Sequence, residues 1–140
     1  MMTPIKEGLQ VIKEDGQVVK ELGLNNGLQL IFTDESNRYF GDYHRICVVV
    51  TIVCNLNDLS TESSADETFF HQAIETLGEQ VTVVKRFARM GVATADVETV
   101  RAELIDSFLH HASSYLSRPE YPRALVNAEL KKRNTPRYYA

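Results

Sequence analysis

Twelve consecutive residues carry an unusual concentration of side chains able to bind or to do chemistry. From Asp34 to Arg45 the chain places two arginines, one histidine, three acids and three aromatics. Guanidinium groups beside aromatic rings suit a flat, anionic partner, because the planar fork matches carboxylate or phosphate and stacks on π faces. Loops held by strands are also common places to display binding groups. Arg38, Tyr39, Asp42, Tyr43, His44 and Arg45 are therefore the candidate ligand- or partner-binding residues. The competing reading is a wide hairpin turn, with Gly41-Asp42 at the bend, aromatics packed on a sheet and charges in water.

Histidines form the second candidate. Glu67, His71 and Glu75 recur at i, i+4 and i+8, and Glu103, Asp106, His110 and His111 lie further along. Helix-bundle metal sites do draw Glu and His from facing helices. Here the usual Glu-x-x-His spacing is missing, since His71 follows Glu67 by one residue too many. Adjacent histidines such as His110 and His111 also diverge by about 100° around a helix. No metal, no cofactor and no catalytic residue is assigned on this basis. An enzyme acting on a small molecule or through a metal, using the Arg38–Arg45 segment or a His71/His111 end, remains the alternative. Nucleotide-binding, serine-hydrolase, zincin and Cys-x-x-Cys motifs are all missing from the sequence.

Cys47 and Cys54 are seven apart, an odd separation that puts them on opposite faces of a strand. They read as free, buried thiols. Arg101 falls close to an apolar stripe, where a cation must either snorkel to water or find an acid. Lys131, Lys132, Arg133 and Arg137 beside Tyr138 and Tyr139 could touch an anionic ligand or nucleic acid. A formal net charge of -4 argues against that as the main role.

The stretch Asp34-Glu35-Ser36-Asn37-Arg38-Tyr39-Phe40-Gly41-Asp42-Tyr43 resembles one in small uncharacterised bacterial proteins. Those proteins also continue into a strand and a helical C-terminal half. The resemblance implies a strand–loop–strand arrangement here, and no activity.

The elements that must position these residues follow from periodicity. Leu9–Lys13, Gln17–Leu22, Leu28–Thr33 and Tyr43–Leu56 read as strands, with Asp15-Gly16 and Asn26-Gly27 as hairpin turns. Ser64 and Glu67 form a capping box, and Phe70, Ile74, Leu77, Val81, Val84 and Ala88 predict one helix running to about Met90. Gly91 then ends that helix. Thr94 caps a second, with Val97, Val100, Leu104, Phe108, His111 and Tyr115 as its stripe and Ser117-Arg118-Pro119 as its stop. Pro122 opens a short third helix. The predicted class is α+β: a meander of three to four antiparallel strands, then an antiparallel helical hairpin and a short C-terminal helix. One domain spans 1–134, with its sheet at about 9–56, its helices at about 65–133 and a loose tail at 135–140.

The composition, 44% hydrophobic and 24% charged, is that of a globular domain. The longest apolar run, Ile46–Cys54, is too short to span a bilayer as a helix. The first residues lack the apolar core of a signal peptide, so the expected compartment is the cytoplasm. The strand over Ile46–Leu56 is apolar on both faces, whereas a sheet with one wet face alternates. A curled sheet, a second layer or a second copy is therefore expected over Cys47–Asn55. The leading expectation is a self-associating interaction or regulatory protein, a homodimer, without catalytic activity. Its contact residues are expected at Val49, Thr51, Val53, Phe69 and Phe87.

Overall fold

The computed structural model describes residues 2–4, 16–58 and 64–134. In chain order the elements are β1 (Met2–Pro4), β2 (Gln17–Leu24), β3 (Leu28–Asp34), β4 (Asn37–Phe40), β5 (Tyr43–Asn55), α1 (Ser64–Leu77), β6 (Gln80–Ala93), α2 (Val97–Leu116) and α3 (Tyr121–Asn134). The class is α+β, with one antiparallel sheet and three helices. The strand predicted at Leu9–Lys13, most of the linker at 57–65, the Ser64 capping side chain and the tail at 135–140 lie outside the described residues. Among the described residues no helix is long and apolar enough to cross a membrane.

The sheet is the predicted meander with additions at both sides. β2 pairs with β3 through the Asn-Gly turn, closed by a hydrogen bond from Gly27 N to Leu24 O at 3.0 Å. Only Gly27 takes positive φ there, so the turn is not the hairpin type in which both central residues are left-handed. β3 and β4 lie in one register against β5: Asp34 faces Val48, and Asn37 faces Arg45. Between them the Asp34 carboxylate accepts from Ser36 N, while Ser36 Oγ accepts from Cys47 N, so the break in the ladder is closed by side chains.

The main correction concerns residues 78–93. The predicted helix to Met90 stops at Leu77, and the chain returns as β6 along the open side of β5. Gly78, at φ 91°, ends α1 by donating its N–H to Ile74 O, a conformation that costs glycine little. Val81-Thr82-Val83-Val84 then gives four β-branched residues in a row, which fit a pleated surface. Gly91 has the positive φ expected of it for another reason. Met90 and Gly91 together oppose Arg45, so Gly91 sits in a β-bulge and not at a helix end. β6 therefore separates α1 from α2 in the chain, and α1 packs against α3.

The core lies between the sheet and the helices. Val48, Val50, Ile52 and Cys54 of β5 meet Leu28, Leu30 and Phe32 of β3 and the buried line Ile105, Phe108, Ala112 and Leu116 of α2. That line is turned from the predicted stripe, leaving His111 and Tyr115 exposed on its flank. Phe108 meets Phe32 edge-on at 5.9 Å and Phe87 at 5.6 Å, which joins the helix to both sides of β5. The far end of α2 is latched by Asn26, whose Nδ2 donates to Leu116 O and Arg118 O at 2.6 and 2.8 Å. Leu116 O is one of the carbonyls that a helix end leaves without an intrahelical donor.

The second face of β5 is closed by the chain itself. Val49 is 5% exposed and Val53 0% within a single copy. Arg86 stands opposite Val49 on β6 and reaches across β5 to Glu35 at 2.7 Å. Towards the other end, Gln80 donates to Asn55 and Asn55 to Gln29, a second polar bridge across the same strand. The dryness that was expected to require a curled sheet, another layer or another subunit is thus already present in one chain.

Candidate functional site

The hairpin tip is built by β4 and β5, with Gly41-Asp42 at the bend as expected. It is held by one residue from the loop ahead of α2. Thr94 N donates to Asp42 O at 3.1 Å, and the Thr94 hydroxyl donates to Asp42 Oδ1 at 2.6 Å while lying 3.3 Å from Asp42 O. His44 Nε2 lies 3.0 Å from the same hydroxyl. A hydroxyl has one proton to give, and the oxygen atoms of Asp42 only accept. His44 Nε2–H therefore donates to Thr94 Oγ1. This arrangement points the hydroxyl proton at the carboxylate and away from the imidazole, so Thr94 is not set up as a nucleophile with His44 as its base. It is a clasp that fixes the tip. Thr94 accordingly does not cap α2, whose N-cap residue is Asp96 with no side-chain bond.

The aromatics of the tip do not pack down on the sheet. Tyr39, Phe40 and Tyr43 are 47%, 73% and 49% exposed, and Met90 of β6 is 58% exposed at the same end. Phe40 faces Tyr43 across the hairpin, Tyr43 faces Ala93, and a Cβ at Gly91 would stand 3.9 Å from the Tyr39 hydroxyl. Four of the seven large hydrophobic side chains exposed among the described residues are thus collected at one end. Arg38 and Arg45 belong to the same hairpin, and neither has an ion-pair partner among the described residues. The six residues proposed from sequence as a binding segment are therefore brought together. Met90 and Thr94 were missed, because both were read as parts of helices.

The residues expected to form a self-association face are not on one. Val49 and Val53 are buried within a single copy, and Thr51 is half-buried. Phe87 packs on Phe108 from the core side, and Phe69 packs on Phe70 with the Arg123 guanidinium 4.2 Å above its ring. Arg101, the other residue singled out on the helices, finds its acid within the chain. Its Nη1 lies 2.7 Å from Asp34 Oδ2, which ties α2 to the end of β3, and its Nη2 lies 3.4 Å from Glu98. Burial acts to raise the Asp34 carboxyl, but hydrogen bonds from Ser36 and Arg101 outweigh it and hold the pKa below its ordinary value.

The histidines do not form one cluster: His44 is at the hairpin tip, and His110 and His111 meet edge-on at 5.3 Å on α2. His71 is exposed on α1, and no group of three or more His, Cys, Asp or Glu side chains among the described residues could hold a metal ion. His111 Nδ1 lies 2.7 Å from Ser107 O, so that nitrogen carries the proton and Nε2 points elsewhere. His111 lines a groove of about 350 Å³ between β6 and α2, with Lys85, Phe87, Leu104, Ser107, Phe108, Ala112 and Tyr115. Cys47 and Cys54 are buried free thiols, as expected, and burial pushes the Cys54 thiol up to about 11. Comparison with known proteins returned no matching family model, no matching curated protein and no matching solved structure.

Proposed function

We propose that this chain is an interaction protein that pairs with a second copy of itself through the tip of the β4–β5 hairpin, and that it carries no catalytic centre. The observation that supports this reading is the collection of Tyr39, Phe40, Tyr43 and Met90, all exposed, at one end of the sheet. Exposed aromatic and Met side chains gathered in one patch mark contact surfaces, whereas scattered ones need no explanation. Rigidity adds to it: the Thr94 clasp holds the tip, so little ordering entropy is lost on contact. The patch also carries both signs of charge, with Arg38, Arg45 and Asp42 in one hairpin. A two-fold contact requires a surface that complements itself, and a mixed patch meets that condition.

The contact surface proposed here replaces the Val49–Val53 face. The test is sedimentation velocity from about 1 to about 100 μM, the range in which modest interfaces titrate. The wild-type chain is expected to pass from monomer to dimer, and Phe40→Asp with Tyr43→Asp to stay monomeric with an unchanged circular dichroism spectrum. Val84→Asp, an exposed apolar position away from the tip, is expected to dimerise normally. A wild-type chain that stays monomeric throughout, or a tip variant that dimerises as before, overturns the proposal.

A further inference from the structure

We infer that the groove between β6 and α2 receives an extended acidic peptide, which adds to the sheet as a further strand on β6. Three independent observations carry this, none of them at the hairpin tip. The first is the edge. Among the described residues β6 pairs only with β5, over all but a few of its 14 residues. Its other side presents a row of backbone N–H and C=O groups, and it contains no proline that would interrupt a new ladder.

The second is the shape beside that edge. Val81, Val83, Lys85 and Phe87 stand opposite Cys54, Ile52, Val50 and Val48, so they share the helix-covered face of the sheet. Lys85 and Phe87 form one wall of the groove, and α2 forms the other with Leu104, Phe108, Ala112 and Tyr115. Successive residues of that wall are three or four apart and rise about 4.5–6 Å, comparable with the roughly 6.7 Å between alternate residues of a strand. An added strand can therefore direct successive side chains of one face into successive steps of the groove. Strand addition draws affinity from the main chain and specificity from such pockets.

The third is charge. β6 carries Lys85, Arg86 and Arg89 and no acid. Arg86 and Arg89 are paired with Glu35 and Glu103, but Lys85 has no ion-pair partner among the described residues. Tyr115 adds a hydroxyl donor to the same groove. A second copy of β6 would set its own unpaired Lys85 against this edge and bring no acid, so the complementary strand is acidic and not this one.

The test uses the whole chain and a labelled peptide of about eight residues with glutamate, valine and phenylalanine at alternate positions, which share one face of a strand, and threonine between them, followed by fluorescence anisotropy. Two controls accompany it: the same peptide with lysine in place of glutamate, and one N-methylated at alternate positions, which removes ladder donors. The acidic peptide is expected to bind, and both controls to bind at least about tenfold more weakly. Lys85→Glu is expected to reverse the preference between acidic and basic peptides. Ser107→Trp is expected to block all of them by filling the groove, and both positions are exposed, so the fold survives. The inference is overturned by no binding up to about 1 mM, by equal binding of the basic or the N-methylated peptide, or by dimerisation that competes with the peptide for β6.

Discussion

Replacing Phe108 by alanine removes the ring that joins α2 to the sheet. That ring touches Phe32 of β3 and Phe87 of β6, with centroids 5.9 and 5.6 Å away, and is 8% exposed. Truncating a buried Phe to Ala costs about 3–5 kcal/mol, part of it from the cavity left behind. One side of Phe108 borders the groove, so water can enter the space and the cavity contribution shrinks. The low end, about 3 kcal/mol, is therefore expected. For 140 residues an unfolding entropy of about 2.1 cal/mol/K per residue sums to about 0.29 kcal/mol/K, so Tm should fall by about 10 °C. Phe108→Leu keeps most of the apolar volume and should cost only about 1 kcal/mol. Urea unfolding followed by circular dichroism gives both values, provided the slope m is unchanged. A loss below about 1 kcal/mol for Phe108→Ala at constant m would show that the ring does not bridge helix and sheet, and the packing argument would fail with it.

Two further outcomes concern pH. The folded pKa of Asp34 lies below its ordinary 3.8, so its contribution to stability is complete above that value and is lost as pH falls through the lower folded one. Arg101→Met should flatten that acid limb in urea midpoints measured between about pH 2 and about pH 5, and superimposable acid limbs would refute the pairing. Cys54 is shifted the other way, from 9.0 to about 11, because burial disfavours the thiolate. Its contribution is complete below 9.0 and is lost as pH rises towards about 11. At about pH 8 the folded chain should therefore protect Cys54 from alkylation that is rapid in urea, and equal rates in both states would show the thiol is not enclosed.

Much of the fold was legible along the chain because the signals are local. Asn26-Gly27 and the alternation around it placed β2, β3 and β5, and Ser117-Arg118-Pro119 and Pro122 marked the end of α2 and the start of α3. The candidate tip was legible for the same reason, since its six residues are neighbours in sequence. β6 was not. Val81, Val84 and Ala88 happen to continue the helical spacing of Phe70, Ile74 and Leu77, while Val81, Val83 and Phe87 alternate as a strand does. Gly78 and the β-branched run at 81–84 were the available signals for the second reading.

Composition and pattern alone determined that this is an α+β chain with an apolar strand at its centre, dry on both faces. Tertiary structure decided what makes it dry. β5 offered an unpaired side, and satisfying its backbone groups drew residues 80–93 into the sheet against a helical pattern. That pairing in turn set Arg86 across from Glu35 and Gln80 beside Asn55, joining side chains 51 and 25 positions apart. It also moved Phe87 into the core, turned Met90 out beside the tip and left β6 with β5 as its one partner among the described residues. No local rule contains these results, because each depends on contacts between residues far apart in sequence.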